Sequence, residues 1–362
     1  MNVLIACDKF KGSLSAKEVA LSIQRGLGEG FTCELCPIAD GGEGFVDAML
    51  AALGGEVKTC FVKDAMGREV EASYGMSSST AIIEMAAASG LWRIEEEARS
   101  ILDASTFGTG QLMLDAIKEG AQKILVGVGG SATNDGGVGM AEALGWQFFD
   151  EEEGRLAANP AALADLATLA GHDAVSLPLI EVACDVENPL LGERGATAIY
   201  GPQKGAGPAE REYLEAYLTH LMEVSGGELL AKTPGAGAAG GLAWGLMKFA
   251  NATLRPGFDI VADAVSLTER IAKADVVITG EGSLDAQSLE GKGPIGVARL
   301  AKEQGKQVVA IAGQITTEVR DSGLIDVSRA LSETGLPLNE LITRAADLVE
   351  KEACEVAALL RP

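Results

Sequence analysis

Histidine is nearly absent. Only His172 and His220 occur in 362 residues, and neither lies in a glycine-rich motif, so no histidine-dependent triad is expected and a general base falls to Asp or Glu. Positive charge is scarce too: 29 Lys and Arg stand against 52 Asp and Glu, a net charge of −23. That removes the basic face a nucleic-acid footprint needs and disfavours adsorption to an anionic membrane. No apolar run approaches the roughly 18 residues of a membrane span. The opening MNVLIACDKFKG has no basic region ahead of an apolar stretch of signal length and reads as a first strand. The six cysteines are scattered. Cys33 and Cys36 have CxxC spacing without a second pair, so zinc or redox use is not expected, and reduced thiols in the cytoplasm are. The phosphate-loop string GxxxxGK[ST] is missing: Gly291-Lys292 is followed by Gly293, and Ala286 stands where its first glycine belongs. ATP handled by this chain is handled without that loop. No repeat of fixed period is visible.

What is present is an ordinary globular balance, 47% hydrophobic and 22% charged, in a chain long enough for two domains. Val3–Ala6 reads as a buried strand, and Ser15-Ala16-Lys17-Glu18 is a capping box opening a helix with apolar Val19, Ile23 and Leu27. A strand through 35–39 and a helix over 45–53 complete a β-α-β-α start, which marks a parallel sheet with helices on its faces. From 56 to 85 the segments EVKTCFV, REVEASYGM and TAIIEM read as a strand meander. A helix (109–119), a strand (123–128), an Ala-rich helix (156–169), a strand (179–184) and a long helix (208–224) are expected after it. Near 260 the N-terminal style returns, with a strand at 275–279, a helix at 293–304 and a strand at 307–312. The expected fold is therefore two α/β domains. One is Rossmann-like and discontinuous, 1–60 plus 260–362; the other, 61–259, is a mixed-sheet α/β domain inserted into it, and the cleft they form is the default ligand site.

Polar residues gather where strands give way to glycine-rich turns, the edge at which open α/β sheets bind ligands. GVGGSATNDGGVGMAEALG, residues 127–145, follows an apolar run and precedes a helical pattern. Its bare backbone suits an anion site, with Gly129, Gly130, Ser131, Asn134 and Asp135 the candidates; a tight strand-to-helix turn explains the same residues. Gly127, Gly129 and Ala132 also fit a dinucleotide string with Asp150 downstream, as do Gly235, Gly237 and Gly240 without a preceding strand, and each is low-specificity evidence. Close helix packing is the other reading of the second set. Asp8, Lys9, Lys11 and Ser13 follow the first strand, Lys204 sits in the stiff GPQKGAG loop, and Lys292 closes a loop holding Glu281 and Asp285. Those two carboxylates suit Mg²⁺, or cap a helix.

The strings CDKFKGSLSA, IADGGEG, IIEMAAASGL, TFGTG, GVGGSATNDGG, ACDVENPL, GPQKGA, PGAGAAGG, ITGEGSLD and GKGPIGVA, in this order, resemble the bacterial glycerate kinases from residue 1 to about 315. Departures are Cys7 and Lys9 where the family usually has Pro and Ser, Ser283 where a basic residue is common, and a fading match after 320. The resemblance implies phosphorylation of D-glycerate by ATP with Mg²⁺, two α/β domains, a place in glycolate, glyoxylate or sugar-acid breakdown, and the 2-phospho product. The expected partners are glycerate and the nucleotide, with no nucleic acid or membrane and with a homodimer allowed. Phosphoryl transfer needs positioning, cations and a carboxylate near the acceptor hydroxyl. Asp185 and then Asp8 are the expected bases, because each follows an apolar strand; Asp40 shares a turn with Glu43, where a metal role is the alternative. Lys11 is placed with them as catalytic. Lys9, Ser13, Gly129, Gly130, Ser131 and Asn134 are expected to bind substrate or nucleotide, and so are Asp135, Lys204, Gly237, Gly240, Arg255 and Lys292. The competing functions are an NAD(P)-dependent oxidoreductase of a small hydroxy acid, resting on GVGGSA with Asp150, and a non-catalytic two-domain carboxylate sensor.

Overall fold

The computed structural model describes residues 1–39, 44–171, 176–286, 288–290 and 293–361. Its two main sheets use, in chain order, β1 (Asn2–Ile5), β2 (Thr32–Leu35), β3 (Glu56–Lys63), β4 (Glu69–Ser77), β5 (Thr80–Glu84) and β6 (Lys123–Gly127). They continue with β7 (Leu179–Ala183), β8 (Thr253–Arg255), β9 (Val276–Thr279), β10 (Gln307–Ala312) and β11 (Val327–Ala330). The chain divides into two units, Met1–Asp40 with Asp47–Gly54 and Phe258–Pro362, and Gly41–Val46 with Gly55–Gly257.

The first unit holds an all-parallel sheet in the order β11-β10-β9-β1-β2. Its central strands are continuous apolar runs, Val3-Leu4-Ile5, Val276-Val277-Ile278 and Val308 to Ala312, all buried, as a parallel sheet covered on both faces requires. The chain enters at β1, steps to β2, then crosses to β9 and runs outward. Strand order therefore reverses at the β1/β9 pair, which makes the carboxyl end of that pair the natural ligand crevice of this unit. The helix Ala16–Leu27 starts at its capping box, with Ser15 Oγ accepting from Glu18 N and the Glu18 carboxylate accepting from Ser15 N. It buries Val19, Ile23 and Leu27 and lies so close to the helix Ala345–Leu360 that a Cβ on Gly26 would stand 2.2 Å from Glu350 O.

The second unit holds a mixed sheet in the order β8-β7-β6-β5-β4-β3. β5 to β8 are parallel, and β4 pairs antiparallel with both β3 and β5. Glu84, Gly127, Ala183 and Arg255 are register partners in one row across the parallel strands, so the segments that follow them leave the sheet along one edge. The core beneath includes Tyr74, Ile83, Leu112, Met113, Val126, Val182 and Leu246.

Two expected elements differ. The 156–169 segment is not a helix: Arg155–Leu156 and Thr168–Ala170 pair antiparallel with Gln147–Phe149, and only the 3-10 turn Leu163–Asp165 lies inside it. Asn159-Pro160 explains this, since Asn159 Oδ1 accepts from Ala162 N at 2.9 Å and the residue before a proline is pushed away from helix. The second strand ends at Leu35, although the chain runs on beside β1 through Cys36 N to Ile5 O at 2.9 Å and Ile38 N to Cys7 O at 3.1 Å. Among the described residues no helix is long and apolar enough to cross a membrane.

Candidate active-site loops

In the second unit the row at the carboxyl edge opens into polar loops. After β6, Gly129 and Gly130 are exposed and Ser131 is nearly buried. Gly130 has φ +71, a conformation that a side chain would strain. One flank of this loop is pinned: Leu91 N donates to Gly130 O and Ala132 N to Ser89 O, both at 2.9 Å, and Gly90 bridges Ser131. The result is a fixed, bare strand-end backbone of the kind that receives anions. After β7, Asp185 is half-buried, with Oδ1 accepting from Gly257 N at 2.9 Å. Asn188 fixes the next turn, donating to Arg194 O and accepting from Tyr200 Oη, each at 2.7 Å. Arg255, at the end of β8, faces Glu181 at 3.4 Å, and Lys123 shares that carboxylate at 2.8 Å. Glu84 ends β5 and its Oε1 accepts from Val46 N at 3.0 Å.

Behind the exposed glycines the chain turns inward. Asp135 is 0% exposed. Its Oδ2 accepts from Thr106 N at 2.8 Å, Thr106 Oγ1 at 2.7 Å and Gly139 N at 3.2 Å, and its Oδ1 from Gly137 N at 3.0 Å. Those donors begin two helices, Phe107–Lys118 and Val138–Ala143, so the carboxylate joins two helix N-termini inside the protein. Burial raises its pKa, against the pull of its donors. Asn134 is equally buried and gives its Nδ2 to Thr197 Oγ1 at 2.9 Å. Lys204 is 2% exposed, and its ammonium donates to Thr133 O at 2.6 Å. Burial pulls that lysine down to about 7, and the nearby Asp135 acts in the opposite sense. Gly237 and Gly240 are packing glycines. A Cβ would lie 2.3 Å from Pro189 O at Gly237 and 2.0 Å from Thr133 O at Gly240. Asp135, Asn134, Lys204, Gly237 and Gly240 are thus all buried inside the second unit; a glycine-rich sequence does not reveal which of its polar residues turn inward.

Asp150 accepts from Glu152 N at 2.9 Å and Gly154 N at 2.7 Å, which caps its own turn. His220 bonds Leu166 O at 2.7 Å within the same unit.

In the first unit Asp8 is nearly buried beyond β1, beside Gly280 beyond β9: Asp8 N donates to Gly280 O at 2.9 Å and Lys9 N to Asp8 Oδ1 at 2.6 Å. A Cβ on Gly293, the first residue of the helix Gly293–Glu303, would stand 3.6 Å from Asp8 Oδ2, which places the carboxylate at a helix N-terminus. Lys9 is half-buried; Lys11 is exposed in the turn closed by the Phe10–Leu14 bridge, and Ser13 Oγ donates to Ile342 O at 3.2 Å. Glu281 Oε1 accepts from Ser288 Oγ at 2.9 Å, and Asp285 Oδ1 from Ser288 N at 3.3 Å. Among the described residues no group of three or more His, Cys, Asp or Glu could hold a metal ion. Asp40, Glu43, His172 and Lys292 lie outside the described residues. The six cysteines are free, and burial pushes the Cys36 thiol up to about 11, which does not suit a reactive CxxC pair.

Ser89 to Leu91, the end of the IIEMAAASGL string, hold the flank of the glycine loop. Trp92 and Arg93 follow it directly and stand in none of the motifs.

The description "Glycerate kinase family" matches residues 3–361 of this chain. A glycerate kinase of Halalkalibacterium halodurans is 42% identical over 99% of this chain and 97% of its own length. A glycerate 2-kinase of Escherichia coli K12 is 43% identical over 99% of this chain and 98% of its own. A crystal structure assigned to glycerate kinase 2 of Salmonella typhimurium LT2 superposes with a TM-score of 0.89 at 41% identity, covering 99% of this chain and 98% of that one. With a match of this identity running from end to end, the chain belongs to the glycerate kinase family, phosphotransferases that act on an alcohol.

Proposed function

We propose that this chain transfers the terminal phosphoryl group of ATP to D-glycerate and releases 2-phosphoglycerate. The observation that carries the reading is the full-length match to the family, with a relative named glycerate 2-kinase at 43% identity. The two structural units are proposed as the two domains of the enzyme, the chain termini forming one of them. The cytoplasm is the proposed location, where free thiols such as these stay reduced.

The roles follow from the loops. Exposed backbone at Gly129 and Gly130 meets the nucleotide phosphates, since the bare backbone of a fixed turn at a sheet edge can approach negative charge closely. Lys11, the exposed cation on the turn after β1, meets an anionic group of substrate or nucleotide. Asp185 takes the proton of the glycerate hydroxyl as the phosphoryl group arrives. The Gly257 N–H on its Oδ1 fixes the carboxylate plane, and such positioning is what a base requires. Asp8 is the second choice, because the helix N-terminus beside it favours a standing negative charge over proton acceptance. Mg²⁺, when bound, neutralises charge developing on the phosphate oxygens. Glu281 and Asp285 would hold it: hard carboxylate oxygens are what Mg²⁺ takes, usually one or two from the protein, and Ser288 orders both.

Incubation with ATP, Mg²⁺ and D-glycerate, followed by phosphorus NMR of the products, tests the reading. The 2-phosphoglycerate resonance should grow in step with ADP. A 3-phosphoglycerate resonance would overturn the position, and no phosphoglycerate would overturn the reaction.

A further inference from the structure

Trp92 is 71% exposed, yet its ring is not loose. Its indole N–H donates to Ala86 O at 3.0 Å, and the Arg93 guanidinium carbon lies 4.5 Å from the ring centroid. Gly90 makes room for this arrangement: a Cβ there would stand 2.3 Å from Ala86 O and 2.8 Å from the indole nitrogen. Leaving an indole in water forfeits a large apolar gain, and fixing it there adds the entropy of a held side chain. A rigid aromatic plate on a surface is how proteins meet another flat π system.

Its place in the fold says which one. Leu91, one residue away along the chain, donates to Gly130 O, and Gly90 bridges Ser131. The plate is therefore attached to the flank of the bare loop proposed above to receive phosphates. The other tryptophans are spoken for: Trp244 is fully buried, and Trp146 is half-buried with its N–H on Phe249 O at 3.1 Å.

We propose that Trp92, held by Gly90, Ala86 and Arg93 beside the Gly129–Ser131 loop, is the stacking platform for the base of the nucleotide. This rests on the phosphate-loop reading and adds what that loop alone cannot do, discrimination of a nucleotide from a bare polyphosphate.

Steady-state kinetics of the whole chain test it, with ATP varied at saturating D-glycerate and with inorganic tripolyphosphate as a competing probe. Trp92→Ala should raise KM for ATP about tenfold, the scale of one base–aromatic stack, with kcat within twofold. Trp92→Phe should restore most of the loss. The inhibition constant of tripolyphosphate, which has no base, should not move. Gly90→Ala, which displaces the ring without removing it, should mimic Trp92→Ala. In the wild type ATP should quench tryptophan emission; in Trp92→Phe, with Trp146 and Trp244 left in place, it should not. An unchanged KM for ATP in Trp92→Ala, or quenching that survives in Trp92→Phe, overturns the proposal while the loop reading stands. Equal weakening of tripolyphosphate and ATP also overturns it, because the ring then shapes the loop and not the base site. A wild type that tripolyphosphate does not inhibit and ATP does not saturate overturns the loop reading itself.

Discussion

Replacing Asp135 by asparagine separates a structural carboxylate from a ligand-binding one. Three donors converge on Oδ2 and one on Oδ1. The amide does best by turning its oxygen to the three-donor side. Its NH₂ then faces Gly137 N, and one buried N–H is stranded at a cost of about 1–3 kcal/mol. The three remaining bonds lose their charge assistance, roughly 0.5–1 kcal/mol each. Lys204, whose ammonium feels the Asp135 charge, loses its counter-charge too. The sum is on the order of 3–5 kcal/mol, the range seen when one partner of a buried charged pair is removed. For a unit of this size that is a fall in Tm on the order of 10 °C. Thermal and urea denaturation would measure it, beside kcat and KM at a temperature where the variant is folded. The expected outcome is a large stability loss with kinetic constants within a few-fold of wild type. An Asp135→Asn protein as stable as wild type with a collapsed kcat would refute the reasoning and return Asp135 to the ligand.

Lys204→Met should flatten the pH dependence of stability. The folded chain sheds the Lys204 proton near 7 while the unfolded chain holds it to about 10.5, so the unfolded state binds more protons in that window and wild-type stability should rise from about pH 7 to pH 9.5, below tyrosine ionisation. Equal slopes for wild type and variant in urea titrations would contradict this. Gly240→Ala, at φ +68 with its Cβ 2.0 Å from Thr133 O, should cost about 2–5 kcal/mol by denaturation from strain and overpacking together. Asp185→Asn keeps an acceptor for Gly257 N and should lower kcat about 100-fold with stability within about 1 kcal/mol; a near-normal kcat passes the role to Asp8.

Periodicity made the frame legible. The apolar runs at β1, β9 and β10 and the capping box at Ser15 are local signals, and the structure places strands and a helix there. The loops at strand ends were legible for the same reason, since a glycine cluster directly after a short apolar run such as 124–126 marks a turn at a sheet edge. What the sequence could not carry was the inside and outside of one loop. Gly129 and Asp135 lie six residues apart in the same string, yet one is exposed and the other fully buried. The sorting is done by partners remote in sequence, Thr106 for Asp135, Thr133 for Lys204 and Gly240. The 156–169 segment misled for a related reason: its alanines favour a helix, but Asn159-Pro160 and pairing with Gln147–Phe149 override that weak local preference. Trp92 is not legible as a surface residue in the sequence because an aromatic side chain is ordinarily core; its exposure and its hold on Ala86 O are set by the fold.

The most direct measurement of the central claim is ADP release by the purified chain with ATP and Mg²⁺, with and without D-glycerate. The account predicts ADP formation that depends on D-glycerate, one ADP for each glycerate consumed. ADP release at the same rate without glycerate, or none with it, would contradict it.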